Sequence, residues 1–134
     1  MAGEQEERNI KCVQALYAAT GVGDWATAET MLTEDFFVTE AETLPMRGVY
    51  RGRKGLQQLY TKVIALAQVK SLEIRQITTG GNCAVVLLDL VLEGTPEGRA
   101  SIAEVFHFRD GKVCEIKPYY FDPTPMIAAA ARNK

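Results

Sequence analysis

The chain is short of several things. It holds one histidine, one tryptophan and three cysteines in 134 residues, and its charges nearly cancel, with 15 basic against 17 acidic residues. A near balance with both signs mixed along the chain leaves no electrostatic footprint for nucleic acid or an anionic membrane. The cysteines, Cys12, Cys83 and Cys114, are odd in number, far apart and set among apolar residues. They read as reduced core thiols rather than a disulfide framework or metal site, and a cytoplasmic setting follows as an expectation. No apolar run approaches the ~20 residues that span a bilayer, and the start lacks the basic-then-apolar pattern of a signal peptide. There is also no nucleotide-binding loop, metal-ligand cluster or Gly-x-Ser-x-Gly elbow, because Gly48-x-x-x-Gly52 and Gly52-x-x-Gly55 read as turn glycines. Neither a metal nor a cofactor is expected.

What is present is pattern. Ile10, Val13, Leu16, Tyr17 and Thr20 recur at three- and four-residue steps, which predicts a helix with one buried face over about 6–20. Gly21 and Gly23 stop it, and Asp24 is placed to cap a shorter helix that carries Trp25, Ala28, Met31 and Leu32 and ends near Thr33. Residues 36–40 suit a strand. After a glycine-punctuated loop, Leu56, Leu59, Tyr60, Val63, Ile64 and Ala67 return to the helical period. The second half reads as four strands, 71–79, 83–92, 99–108 and 113–121. Gly80-Gly81-Asn82, Thr95-Pro96-Glu97-Gly98 and Asp110-Gly111 supply the turns of an antiparallel meander. Pro123 and Pro125 end the last strand, and the Ala-rich stretch 126–132 predicts a short terminal helix.

Helices followed by a meander make an α+β chain, in which the helices lay their apolar stripes on one face of the sheet. The expected architecture is a curved antiparallel sheet wrapped around three N-terminal helices, a cone-shaped barrel with an internal pocket. At this length the chain reads as one domain spanning 1–134, able to bury roughly two-thirds of its unfolded surface.

Alternation places Glu104, Phe106 and Phe108 on one face of their strand and Val105 and His107 on the other. A carboxyl group among aromatics is costly to ionise, so Glu104 is a candidate proton donor; the other reading is a rim acid paired with an arginine. Glu40 shares the parity of Phe36 and Val38, which makes it a candidate base if that parity faces the pocket and a solvated loop acid if it does not. Arg47, Arg51 and Arg53 could pair with either acid, bind a substrate anion or lie on the surface. Ile116, Pro118 and Tyr120 share a parity that lines the pocket, with the Tyr120 hydroxyl available for orientation. Trp25 and Tyr60 read as packing residues, Asp89 as partnered or placed on an associating sheet face, and His107 as an interface or surface residue.

The helix-Gly23-Asp24-helix junction, Leu44-Pro45 through Gly48-Val49-Tyr50-Arg51-Gly52, and Phe108-Arg109-Asp110-Gly111-Lys112-Val113 together resemble the SnoaL-like branch of the nuclear-transport-factor-2-like superfamily over nearly the whole chain. That superfamily includes isomerases, polyketide cyclases, dehydratases, epoxide hydrolases and non-catalytic binding domains. In its ketosteroid-isomerase members a carboxylate after the first strand abstracts a proton, while a tyrosine of the first helix and a protonated acid on a later strand bind the oxyanion. The resemblance puts Glu40 at the base position, Glu104 at the acid position and Leu16 at the tyrosine position. Tyr17 stands one residue along, turned by about 100°. Two functions follow as expectations. One is a cofactor-independent enzyme doing acid–base chemistry, of isomerase, cyclase or dehydratase type, on a small apolar carbonyl or cyclic substrate. The other is a non-catalytic small-molecule-binding or dimerisation domain. Glu40 and Glu104 are the candidate catalytic pair, and Tyr17, Arg47, Tyr50, Phe106, Phe108, Ile116 and Tyr120 the candidate substrate contacts. A homodimer through the uncovered sheet face is expected.

Overall fold

The computed structural model describes residues 3–93 and 98–132. In chain order the elements are α1 (Glu4–Gly21), α2 (Trp25–Thr30), β1 (Leu32–Glu40), β2 (Gly48–Arg51), α3 (Gly55–Ala67), β3 (Val69–Gly80), β4 (Cys83–Leu92), β5 (Arg99–Arg109), β6 (Lys112–Tyr120) and α4 (Thr124–Arg132). Gly23, at φ +73°, makes the left-handed step between the first two helices, and the Asp24 side chain accepts from the Thr27 amide at 3.2 Å, the cap its position calls for. Of the turn expected at Thr95-Pro96-Glu97-Gly98, the first three residues lie outside the described residues. Gly98 accepts from the Leu92 amide at 2.6 Å.

Two elements differ from the sequence reading. The second helix stops at Thr30 and β1 begins at Leu32, because the Met31 carbonyl accepts from the Val113 amide at 2.8 Å and Leu32 pairs with Val113. Pairing with a distant strand outweighs the weak local preference for another helical turn. Part of the glycine-punctuated loop is also a strand, β2, paired antiparallel to β1 from Phe37↔Arg51 to Glu40↔Gly48.

The six strands form one sheet in the order β2-β1-β6-β5-β4-β3. The expectation of a wholly antiparallel sheet needs one correction, since β1 and β6 run parallel. β2 and β3 are its two edges and do not pair with each other, so the curved sheet stays open rather than closing into a barrel. The helices lie on its concave face. Val13, Leu16 and Ala19 of α1, and Leu56, Leu59 and Ala67 of α3, meet Val38, Val86, Leu88, Leu90, Ile102, Phe106 and Ile116 in one core. Full burial of each large side chain stabilises the fold by about 1.5–3 kcal/mol. α4 seats Met126 and Ala129 in the same core. The start of α3 comes so near β2 that a Cβ on Gly55 would stand 2.8 Å from the Tyr50 carbonyl carbon and oxygen.

The three thiols are free, but each is half-buried at the margin of the core rather than inside it. The outer face of the sheet carries exposed His107 and an ionic cluster around Asp89. Asp89 accepts from Arg75 at 2.6 Å, Arg99 at 3.5 Å and Ser101 at 3.0 Å, which resolves it as a partnered acid.

Candidate active site

The inward side chains of three neighbouring strands set the frame. Val38 of β1 is paired with Ile116 of β6, which is paired with Phe106 of β5, so these three form an apolar row. Two residues further toward the same end, Glu40 leaves β1 and Glu104 leaves β5. Pro118, paired with Glu104, lies on the strand between them. Two strand spacings separate the acids' backbones, about 9.6 Å. The β1–β6 ladder ends at Val38↔Ile116, before Pro118, so the missing proline N–H breaks no bond on that side.

Both acids open on a cavity of about 590 Å³ enclosed by α1, α3 and the strands. Leu59, Val63, Val69, Leu72 and Leu90 supply an apolar wall, and Tyr17, Tyr60, Tyr120, Glu40 and Glu104, with Gln14, Thr20 and Ser71, supply the polar groups. Among the described residues no lysine, arginine or histidine lines it. Its size and its few polar groups in an apolar wall are those of a small-molecule site.

Glu104 takes a hydrogen bond at Oε1 from the Tyr17 hydroxyl, whose ring sits edge-on to Phe106 with centroids 5.9 Å apart. Burial raises the Glu104 pKa against the opposing pull of this bond. Glu40 is 4% exposed, and its Oε1 is buried without a hydrogen-bond partner among the described residues. Burial, with a smaller contribution from the Glu104 charge, pushes its pKa from 4.5 up to about 8. Tyr17, Tyr60 and Tyr120 are held as neutral phenols well above the ordinary tyrosine range. Burial is the main cause, and the charge of Glu104 adds to it in all three.

The structure thus brings Tyr17, Glu40, Glu104 and Tyr120 to one cavity. The 100° turn from the Leu16 position does not keep Tyr17 from reaching Glu104; the side chain spans the offset, and Leu16 is core. Phe106 and Ile116 sit below, with Pro118, around a void of about 30 Å³. Phe108 is elsewhere. The strand is irregular between His107 and Phe108, and Phe108 faces a separate recess at the other end, lined also by Arg8 and Arg109. Arg47 is exposed and donates to the Leu44 carbonyl at 3.5 Å, while the Tyr50 hydroxyl donates to the Met46 carbonyl at 2.7 Å; neither lines the cavity.

Tyr60 is the cavity residue that sequence reasoning assigned to packing. It does pack, edge-on against Trp25 at 5.2 Å, but it also faces the cavity, with Thr20 Oγ1 3.5 Å from its hydroxyl. Its place one residue after buried Leu59, at the border of the helix's apolar stripe, was the available signal. Among the described residues no group of three or more His, Cys, Asp or Glu side chains is placed to hold a metal ion. No described helix is long and apolar enough to cross a membrane.

The family model of the SnoaL-like domain matches residues 13–116. No curated protein matches the sequence. Among solved structures, Bal32a from a soil-derived mobile gene cassette is 16% identical with a TM-score of 0.82, covering 94% of this chain and 98% of its own. TerC, co-crystallised with polyporic acid, is 18% identical with a TM-score of 0.79, over 92% and 98%. A putative polyketide cyclase from Sinorhizobium meliloti is 15% identical with a TM-score of 0.68, over 81% and 94%. At these identities the likeness shows the fold.

Proposed function

The chain belongs to the SnoaL-like domain family, and from that premise we propose that its cavity performs cofactor-independent acid–base chemistry on a small, largely apolar carbonyl or cyclic substrate. The observation that carries this reading is Glu40. An acid with a buried, unpartnered oxygen and a pKa near 8 faces the same cavity as a second acid held by a tyrosine. Pairs of carboxyls shifted by burial are the usual equipment of proton transfer near neutral pH. That TerC was crystallised with polyporic acid, and that another protein of this fold is a putative polyketide cyclase, agrees with a cyclic ligand.

In this mechanism Glu40 is the base and Glu104 the neutral acid. Glu40 takes a proton from the carbon next to a carbonyl, and the electron pair moves onto the carbonyl oxygen. Glu104 donates its proton to that oxygen from the carboxyl oxygen not bound by Tyr17, and Tyr17 positions the group. Return of the Glu40 proton to a different carbon, with the enol O–H proton going back to Glu104, completes an isomerisation; departure of a β-hydroxyl as water, taking the proton from Glu40 while Glu104 recovers its own, completes a dehydration. The ionised form of Glu40 is the active one, so turnover rises with pH toward 8.

The test is deuterium uptake at the α-carbon of small cyclic ketones in D₂O, followed by NMR. Wild-type protein should speed the exchange over buffer, and Glu40→Gln should abolish the acceleration. An acceleration unchanged in a Glu40→Gln, Glu104→Gln double variant would overturn the assignment; saturable binding with no exchange would favour the non-catalytic reading.

Association belongs to the same proposal. The outer sheet face exposes Leu87 and Tyr119, with Phe121 beside them 89% exposed, around a groove of about 490 Å³, and a homodimer would cover them. Light scattering should give twice the subunit mass of 14.8 kDa, and Phe121→Ser should lower it toward one subunit.

A further inference from the structure

Two features of the cavity bear on the molecule it holds. The first is its one-sided charge. Glu40 and Glu104 face it, no basic side chain among the described residues lines it, and three tyrosines held as neutral phenols offer hydroxyl groups. A carboxylate or phosphate head would meet two acids and no counter-ion, whereas an uncharged oxygen-bearing head can take hydrogen bonds from Tyr60, Tyr120 and a protonated acid.

The second feature is the rim. Ile64 of α3 and Ile74 of β3 line the cavity and yet are 56% and 42% exposed. Val22, 81% exposed, follows cavity-lining Gly21 at the end of α1. Single exposed aliphatic residues are ordinary. The two isoleucines instead line one cavity from two elements, Ile64 next to Val63 on α3 and Ile74 two residues from Leu72 on β3. A ligand wholly contained by the cavity would leave their exposed surface unused.

We propose that the ligand is amphipathic, with an uncharged oxygenated ring inside the cavity and an apolar tail lying out across Ile64 and Ile74. The inference rests on the cavity being the functional site and adds the class of molecule it takes. The tail covers the half-exposed isoleucines and draws affinity from them, and the acids reject an anionic head.

Calorimetric titration with 4-methyl-, 4-ethyl-, 4-propyl-, 4-butyl- and 4-pentylphenol at pH 7, beside the matching 4-alkylbenzoates, tests both halves. Affinity for the phenols should rise about twofold per methylene, half the effect of full burial. The benzoates should bind at least tenfold more weakly. In Ile64→Thr, Ile74→Thr protein, checked for an unchanged melting temperature, the gain per methylene should disappear. Short phenols that bind without any gain per methylene would overturn the tail and leave the cavity reading standing. Benzoates binding as well as phenols would overturn the neutral head. No binding by any phenol would overturn this inference together with the site it rests on. An unchanged slope accompanied by loss of a dimer would assign the rim to a second copy and overturn the proposal.

Discussion

The Tyr17 hydroxyl donates to Glu104 Oε1, joining the middle of α1 to the fifth strand at the wall of the cavity. The bond favours the ionised form of Glu104, while burial favours the neutral form more strongly. Tyr17→Phe removes the first effect alone. The Glu104 carboxyl, followed by ¹³C NMR, should then titrate at higher pH than in wild type, and unfolding in urea should show a loss of about 1–2 kcal/mol. An unmoved titration would mean that the hydroxyl does not govern this acid.

Glu40 should make stability fall on the alkaline side. Its folded pKa, about 8, lies above the ordinary 4.5, so the folded chain keeps a proton that the unfolded chain releases. The contribution is complete below pH 4.5 and is lost as pH rises through 8, a span worth on the order of 5 kcal/mol at most. Glu40→Leu should flatten the decline between pH 5 and 9 and raise the melting temperature at pH 9. A decline as steep as in wild type would rule Glu40 out as its source.

Asp89 has the opposite sign. Hydrogen bonding by Arg75 is the main cause of its lowered pKa, so its stabilisation is present above the ordinary carboxylate range and is lost as pH falls through the folded value. Asp89→Ala also leaves Glu73, 2.7 Å from Arg99 and 3.8 Å from Arg75, as the one acid shared by the two arginines among the described residues. Both arginines are about half exposed and reach water, which limits the cost to about 1–2 kcal/mol at neutral pH. Urea denaturation at pH 7 and pH 3 should show a smaller difference from wild type at the lower pH.

At Gly55 two effects of an added methyl compete. Helix propensity favours alanine by up to about 1 kcal/mol. The methyl would stand 2.8 Å from the Tyr50 backbone, which cannot swing aside as a flexible side chain could. Gly55→Ala should therefore lower the melting temperature, with a net cost of about 1–3 kcal/mol. A rise would show that α3 shifts freely on β2.

Periodicity was a good guide wherever an element had one clearly apolar face. The parity that put Glu104 and Phe106 inward holds, and the uncertain parity of Glu40 resolves inward, to a buried acid. The parallel joint between β1 and β6 was not readable, because it depends on which distant strand fills the gap rather than on any local pattern. β2 was hidden by its glycines. Phe108 keeps the inward parity and is core, but it lies four residues along the strand from Glu104 at a separate recess, because alternation gives the face and not the distance along it. Tyr17, a candidate contact one residue from the tyrosine position of the resemblance, has a phenol long enough to reach Glu104 across that offset. Most of the cavity rim was illegible for another reason: β3 is an edge strand with no fully buried residue, and its sequence does not distinguish a pocket wall from open surface.

The open seam between β2 and β3 changes what sets the size of the pocket. A closed barrel has a bore tied to its strand number and stagger, and altering it means rebuilding the whole hydrogen-bonded ring. Here helices wall the cavity, and of their residues Leu59 is tied into the core while half-buried Val63 faces the contents of the cavity and takes part in no strand pairing. Exchanging Val63 for a smaller or larger residue changes the volume while every strand pairing stays in register. An architecture of this kind can acquire a new ligand by one or two changes on a helix face, without first passing through a damaged sheet.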